Sequence, residues 1–409
     1  MSGAGQGTAG LGKYAKSSSA LPGAPSPALF EPAAGGVSPV GAYDPTAQLQ
    51  RFALQSAARR ILPGSRTAEC LRAHAPVKGR KFDASPVEVT RSAERGGACQ
   101  YRKLLVCGSV WQCPVCAAKI SERRRVELLS AMTAHKSAGG DVLLLTLTSP
   151  HYAGDVLADV LAGQAAALKH FNAGRAAQKL NAEIGCIGQV RALEVTHGRH
   201  REVNNGWHPH YHILLFVRSG QDLEALQDLF FRRWRDACAK AGLPAPSAAH
   251  GVRLHDGSEA AYYAGKWGLD SELTKGHIKK SPKAKGETPF DLLRAFLSDG
   301  DRQAAALFRE FAGAFKGKRQ LFWSHGLKAR FGIGEASDGD LAVREDDSAF
   351  LLGKIGLDDW RRILKVDVRG QVLALAGIGG WEPVKRFLCD LRKSVVLHEY
   401  EKVRFHHRE

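Results

Sequence analysis

The sequence predicts an α+β protein. It has a central antiparallel sheet flanked by helices, a cysteine-rich module before the sheet, and a mostly helical region after it. Three observations carry this. Over 140–268 the chain alternates β-prone apolar runs with helical periodicity, in the order strand, helix, strand, strand, helix, strand, helix. Two of those strands adjoin across a polar turn, which marks an antiparallel hairpin. Five of the eight cysteines fall between residues 50 and 118, before the sheet begins.

Each element has its own signal. Residues 1–48 are rich in Gly, Ala, Ser and Pro; they hold too little apolar surface to offset chain entropy and read as a disordered tail. Residues 49–137 are the cysteine-rich module and a linker helix, "AKISERRRVELLSAMTAHKS" (118–137), with apolar positions at helical spacing and arginines in its first turns. The core spans 138–270. "DVLLLTLTSPH" (141–151) is a buried strand stopped by Pro150, and the Ala- and Leu-rich 154–183 is a long helix. "GQVRALEVTHG" (188–198) alternates, turns through "RHREVNNG", and pairs with "WHPHYHILLFV" (207–217). A strongly amphipathic helix over 220–242 ends at Gly242. A short strand, "HGVRLHDG", precedes a short helix, "SEAAYYAGKWG" (258–268). A basic loop occupies 271–289. The region 290–409 is mostly helical, with a small sheet near 364–375.

Lys plus Arg number 58 against 41 Asp plus Glu, a formal net charge of +17. Such an excess points to an anionic partner, nucleic acid before a membrane surface. No stretch reaches the roughly 18 apolar residues of a membrane span. The N-terminal segment lacks the basic-then-apolar layout of a signal peptide, so a reducing cytosol is the expected compartment. There, clustered cysteines point to metal rather than disulfides.

The chemistry begins in "GWHPHYHILLFV", which runs from Gly206. Alternate strand residues share a face, so His208, His210 and His212 point the same way. Neutral imidazoles at that spacing can converge on a divalent cation. Glu194, mid-strand in "RALEVTH" between apolar neighbours, is the best third ligand, because a buried carboxylate needs a partner. Two histidines and one carboxylate leave coordination positions open, which suits a catalytic Mg²⁺ or Mn²⁺.

On the helix that follows, Glu259, Tyr263 and Lys266 lie on one stripe, with Tyr262 close to it. Helical geometry alone does not choose between the tyrosines. A phenol beside a metal is a usable nucleophile for phosphoryl transfer, and Lys266 adds positive charge. In "ACQYRKLLVCGSVWQCPVC" the C-P-V-C pair, Cys113 and Cys116, is a zinc-type chelate. Cys107 with Cys99 completes a structural Zn²⁺ site, and Cys70 is the alternative to Cys99. Cys186, Cys238 and Cys389 read as isolated core residues. Lys275, Lys279, Lys280, Lys283 and Lys285 stand directly after the tyrosine helix as candidate DNA phosphate contacts, and Arg123, Arg124 and Arg125 form a second candidate patch.

"LLTLTSP", "WHPHYHILLF" and "YYAGK", in that order, resemble the three motifs of rolling-circle plasmid replication initiators. Those belong to the single-tyrosine branch of the His-hydrophobic-His endonuclease superfamily. The likeness covers roughly 140–268 and implies a ferredoxin-like nuclease core. It implies His210 and His212 as the metal ligands, with Tyr211 between them. Its third motif places the tyrosine three residues before the lysine, which selects Tyr263 and Lys266. It implies that Glu259 activates water at termination. The implied reaction nicks one strand at an origin, leaves a 5′-phosphotyrosine and a priming 3′-OH, and later rejoins the strand. Implied partners are origin DNA and the host helicase and polymerase, in a bacterial cytoplasm; a homodimer is one way to supply a second nucleophile. Two other readings compete. A relaxase or transposase of the same superfamily is less apt, because the tyrosine here follows the histidines and the cysteine module is extra. A non-catalytic zinc-containing DNA-binding regulator leaves Glu194, His210, His212 and Tyr263 unexplained.

Overall fold

In the computed structural model of the 409-residue chain, the described residues are 43–76, 85–93, 96–266, 286–344 and 349–406, with side chains described except for 265–266 and 395–406. The five-stranded sheet holds β3 (Gly140–Thr148), β4 (Gly188–His197), β5 (Trp207–Arg218), β6 (Val252–His255) and β7 (Leu321–Trp323) in the order β6-β3-β5-β4-β7. Every pairing in it is antiparallel. β5 is central because its sequence is apolar on both faces over Ile213–Val217, all of them buried.

One face packs Leu143, Leu145, Leu147, Tyr211, Ile213 and Leu215 against α4 (Leu157–Phe171) and α6 (Leu223–Lys240). The fully buried Trp234 of α6 donates its indole N–H to Thr148 O at 2.6 Å. The other face packs Val142, Leu144, Val190, Leu214 and Phe216 against α3 (Pro114–Ser137) and α7 (Gly257–Lys266), whose Ala260 and Ala264 are fully buried. Alanines there let α7 lie close on the sheet. Pro209, inside a central strand, offers no N–H; its carbonyl instead accepts from Gln164 on α4 at 2.8 Å.

A second sheet is built from both ends of the chain. β1 (Val87–Ser92) lies between β2 (Cys99–Arg102) and β8 (Ala349–Ile355). With α1 (Pro45–Ile61), α12 (Leu357–Val366), α13 (Arg369–Gly379) and α14 (Trp381–His406) it closes a separate core around Phe52, Val89, Tyr101, Trp360 and Leu373. The remaining helices are α2 (Arg66–Glu69), α5 (Gly174–Glu183), α8 (Pro289–Asp299), α9 (Arg302–Ala314), α10 (Leu327–Arg330) and α11 (Asp338–Val343).

Several elements differ from the sequence reading. α1 starts at Pro45, inside the segment expected to be a disordered tail, because Asp44 caps it at Thr46 N and Ala47 N. Residues 1–42 lie outside the described residues. The single helix over 154–183 is two, α4 and α5, separated at Gly174 with φ +83°. The small sheet near 364–375 is not there: α12 and α13 occupy it, meeting at Asp367 with φ +57°. The C-terminal strand lies earlier, at 349–355. Among the described residues no helix is long and apolar enough to cross a membrane.

Candidate active site

Near its start, β5 stops being apolar on the α7 side. The antiparallel register sets Glu194 directly opposite His210, Ala192 opposite His212, and Thr196 opposite His208. Paired residues share a face, so the small Ala192 leaves room beside His212. The Nε2 atoms of His210 and His212 each lie 3.6 Å from Glu194 Oε2. One ligand atom from each of the three residues falls within 4.8 Å of the others.

The imidazoles are oriented from behind. His212 Nδ1 is 2.9 Å from Thr146 Oγ1 on β3, and His210 Nδ1 is 3.2 Å from the His208 carbonyl. A carbonyl only accepts, so His210 Nδ1 carries the proton and Nε2 keeps its lone pair. His208 is 3.1 Å from His151 Nε2 through its own Nδ1, and its ring stacks on His210 with centroids 5.0 Å apart. It supports the pair instead of joining it.

Burial would raise the Glu194 carboxyl, but the imidazoles of His210 and His212 beside it and the hydrogen bond donated by Tyr263 hold it at about 2. Burial pushes His212 down to about 4, with the charges of His210 and His255 adding to the effect and Glu194 opposing it. Near neutral pH the group therefore offers an ionised carboxylate and a neutral His212. A divalent cation requires that state of its ligands, and the inward Nε2 atoms fit one.

α7 brings the tyrosine. Asp256 caps its start, its carboxylate accepting from Ser258 N at 2.8 Å and Glu259 N at 3.3 Å. Two turns on, the half-buried Tyr263 donates its phenol O–H to Glu194 Oε1 at 2.5 Å, and its ring lies 4.7 Å from that of His212. Tyr262 is 59% exposed, so the structure brings Tyr263 to the carboxylate and turns Tyr262 to solvent. Glu259 is exposed one turn before Tyr263. Lys266 ends the helix; its side chain, and Lys275, Lys279, Lys280, Lys283 and Lys285, lie outside the described residues. The described chain re-enters at Gly286–Glu287, where Glu287 and His197 exchange two backbone hydrogen bonds of 2.8 Å beside the site.

Sequence reasoning missed three supporting residues. Thr146 had a signal in hindsight, a hydroxyl inside the apolar run "LLLTLT". His151 follows a strand-ending proline. Arg253 is the lone arginine of β6; it pairs with Thr146, which pairs with His212, so all three share a face. It is exposed, about 10 Å from His212 across two strand spacings.

The cysteine group is also corrected. Cys70, Cys107, Cys113 and Cys116 come together, and Cys99 does not. The Cys99 thiol sits on β2 and donates to the Gly97 carbonyl at 3.6 Å. Sulfur separations in the group are 3.6 Å for Cys70–Cys116, 3.6 Å for Cys107–Cys116 and 3.9 Å for Cys70–Cys113. A tetrahedral zinc with Zn–S bonds of about 2.3 Å sets its sulfurs about 3.8 Å apart, so the cluster has the size of such a site. Cys107 N donates to Cys70 Sγ and Ser109 N to Cys107 Sγ, at 3.4 and 3.5 Å. Gly108, with φ +65°, makes that turn. Cys113 occupies the N-cap position of α3 and Pro114 its first turn, which sets Cys116 in the first turn of the helix facing the other thiols.

The proposed arginine patch is occupied within the fold. Arg123 and Arg124 donate to backbone carbonyls at or next to α11, and Arg125 pairs with Glu122. Cys238 is a buried core residue and Cys186 is partly buried, whereas Cys389 is exposed.

Comparison with known proteins adds the lineage. The model of a family described as "Replication protein" matches residues 100–352, more than half of the chain. A curated relative named "Protein rep", from Streptomyces lividans, is 28% identical over 386 residues, covering 76% of this chain and 78% of that protein. A "Neomycin resistance protein" from Streptomyces cyanogenus is 33% identical over 145 residues, 30% of this chain and 32% of that protein. No solved structure matches the chain.

Proposed function

Since the chain belongs to the replication-protein family, which bears out its likeness to plasmid replication initiators, we propose that it starts rolling-circle replication by nicking one origin strand with Tyr263. The observation that carries this is the contact of Tyr263 with Glu194, the same carboxylate that faces His210 and His212.

The residues divide the work as follows. His210, His212 and Glu194 hold a Mg²⁺ or Mn²⁺ ion, which when bound draws charge from the phosphate oxygens and favours attack at phosphorus. Glu194 Oε1 takes the hydrogen bond of the Tyr263 hydroxyl and aims its oxygen. Tyr263 Oη gives up its proton to solvent and forms the new bond to phosphorus as the bond to O3′ breaks; the departing O3′ takes one proton from solvent, so the two transfers cancel. The products are a 5′-phosphotyrosine and a 3′-OH that primes synthesis. Lys266 offsets charge on the phosphate, and the lysines of the following loop hold the flanking backbone. Arg253, on the site's face of the sheet, is a further phosphate contact. At termination Glu259, exposed one turn away, activates water, or a second protomer supplies the second nucleophile. The tetrathiolate cluster holds a structural Zn²⁺.

The test uses Mn²⁺ and a single-stranded origin oligonucleotide labelled at either end. The reading predicts a covalent adduct carrying only the 3′-side fragment, and a 5′-side fragment that a polymerase extends. No adduct on any origin fragment would leave the DNA-binding regulator as the better account.

A further inference from the structure

The far C-terminal part of the chain reaches the cysteine cluster through one buried arginine. Arg369, in the first turn of α13, is 1% exposed. Its Nη1 donates to Gln55 Oε1 at 2.8 Å, to the Leu71 carbonyl at 3.1 Å and to the Cys70 carbonyl at 3.3 Å. Its Nη2 donates to Ser56 Oγ at 3.3 Å and Asp367 Oδ1 at 3.4 Å, and the guanidinium lies over the Phe52 ring at 5.2 Å. A buried cation with a single carboxylate at 3.4 Å is costly unless its position matters or many acceptors meet it.

The acceptors converge on two of the four sulfurs. Gln55 on α1 is itself 1% exposed, and its Nε2 lies 3.2 Å from Cys113 Sγ. An amide has one oxygen and one NH₂ group. With the oxygen held by Arg369, the NH₂ must face the sulfur. The Leu71 carbonyl belongs to a non-glycine residue with φ +53°, a conformation that needs support. That turn directs Cys70 toward Cys107, Cys113 and Cys116.

We propose that Arg369 is a positioning residue for a tetrathiolate metal site. It acts on Cys113 through Gln55, and on Cys70 through the Cys70 and Leu71 carbonyls. The C-terminal region is thereby part of the metal module, although about 250 residues separate it from the last cysteine ligand. The inference rests on the cluster holding a soft divalent ion such as Zn²⁺, and not on the tyrosine chemistry.

Gln55→Glu is the deciding variant. It keeps the oxygen that Arg369 needs and strengthens that pair, but removes the N–H donor from Cys113 and sets a carboxylate against the thiolates. A purely structural Arg369 predicts unchanged or higher thermal stability and unchanged metal binding. The proposal predicts a Zn²⁺ affinity about 10- to 100-fold lower, the usual effect of losing an outer partner of a metal ligand, with the fold intact. Arg369→Lys, which keeps the charge but not the planar fork, is expected to weaken Zn²⁺ by a similar factor. Affinity is read on the full chain by chelator competition, and geometry by the thiolate-to-metal absorption of the Co²⁺-substituted protein. Gln55→Met, apolar and similar in volume, repeats the reading if the new charge unfolds the chain. Wild-type affinity and spectrum in the folded variants overturn the proposal. A wild-type protein that binds no Zn²⁺ overturns the metal module itself.

Discussion

Replacing Thr146 with Val isolates the contact that orients His212. Thr146 lies opposite His212 across β3 and β5, with Oγ1 2.9 Å from Nδ1. When a cation takes the lone pair of His212 Nε2, Nδ1 carries the proton and donates to the hydroxyl. Valine keeps the branched shape and strand preference of threonine, so the loss is confined to one acceptor. A neutral hydrogen bond contributes about 0.5–1.5 kcal/mol, and a buried donor left without a partner costs about 1–3 kcal/mol. Outer partners of metal-binding histidines are worth about 10–100-fold in affinity, or roughly 1.4–2.7 kcal/mol. The ranges overlap, so Thr146→Val should weaken Mn²⁺ by about tenfold or more. Titration followed by the resonance of free Mn²⁺ measures this. Thr146→Ser, which keeps the hydroxyl, should stay within about threefold of wild type. Wild-type Mn²⁺ affinity in Thr146→Val would refute the assignment of the His212 tautomer.

Other expectations concern charge and DNA. His210→Ala and His212→Ala should each lower nicking by at least about 100-fold, since outer partners alone reach that figure, while gel shifts on duplex origin DNA stay near wild type; equal loss of both would mark a structural role. Acid should destabilise the apo protein in two stages. His212 is held at about 4 against 6.5 unperturbed, so the unfolded chain binds its proton first, and this stability is full above pH 6.5 and lost as pH falls toward 4. Glu194 is held at about 2 against 4.5, so its contribution is full above pH 4.5 and lost as pH falls toward 2. Urea titrations from pH 7 to pH 4 should show falling stability throughout; a maximum near pH 5 would contradict the assignment. Arg253→Ala should reduce the salt dependence of single-strand binding by about 0.7 in log–log slope, the share of one phosphate contact, and an unchanged slope would remove Arg253 from the interface.

Much of the core was legible because its signals are local. Alternation over 188–217 fixed a hairpin, and period-two spacing put the histidines on one face. Helical spacing left Tyr262 and Tyr263 undecided, because both lie near the stripe; what separates them in the structure is which one the packing of Ala260 and Ala264 turns toward the sheet. Other features depend on contacts far apart in sequence. Cys70 displaces Cys99 because Cys99 belongs to a strand that pairs with β1, and only the fold shows that Cys70 swings back to residue 107. β8 was missed since "AFLLGKI" completes a sheet begun some 260 residues earlier. The expected sheet near 364–375 failed for the opposite reason: Val366 ends α12, Val368 stands at the start of α13 and Val372 is buried within it, so helix packing outweighs strand preference.

The measurement that tests the central claim most directly locates the covalent bond. Wild-type, Tyr263→Phe and Tyr262→Phe proteins are each incubated with Mn²⁺ and the origin oligonucleotide, and the adduct is digested and mapped by mass spectrometry. The account predicts a nucleotide on Tyr263 in the wild type and in Tyr262→Phe, and no adduct in Tyr263→Phe. An adduct that persists in Tyr263→Phe, or that maps to Tyr262, would contradict it.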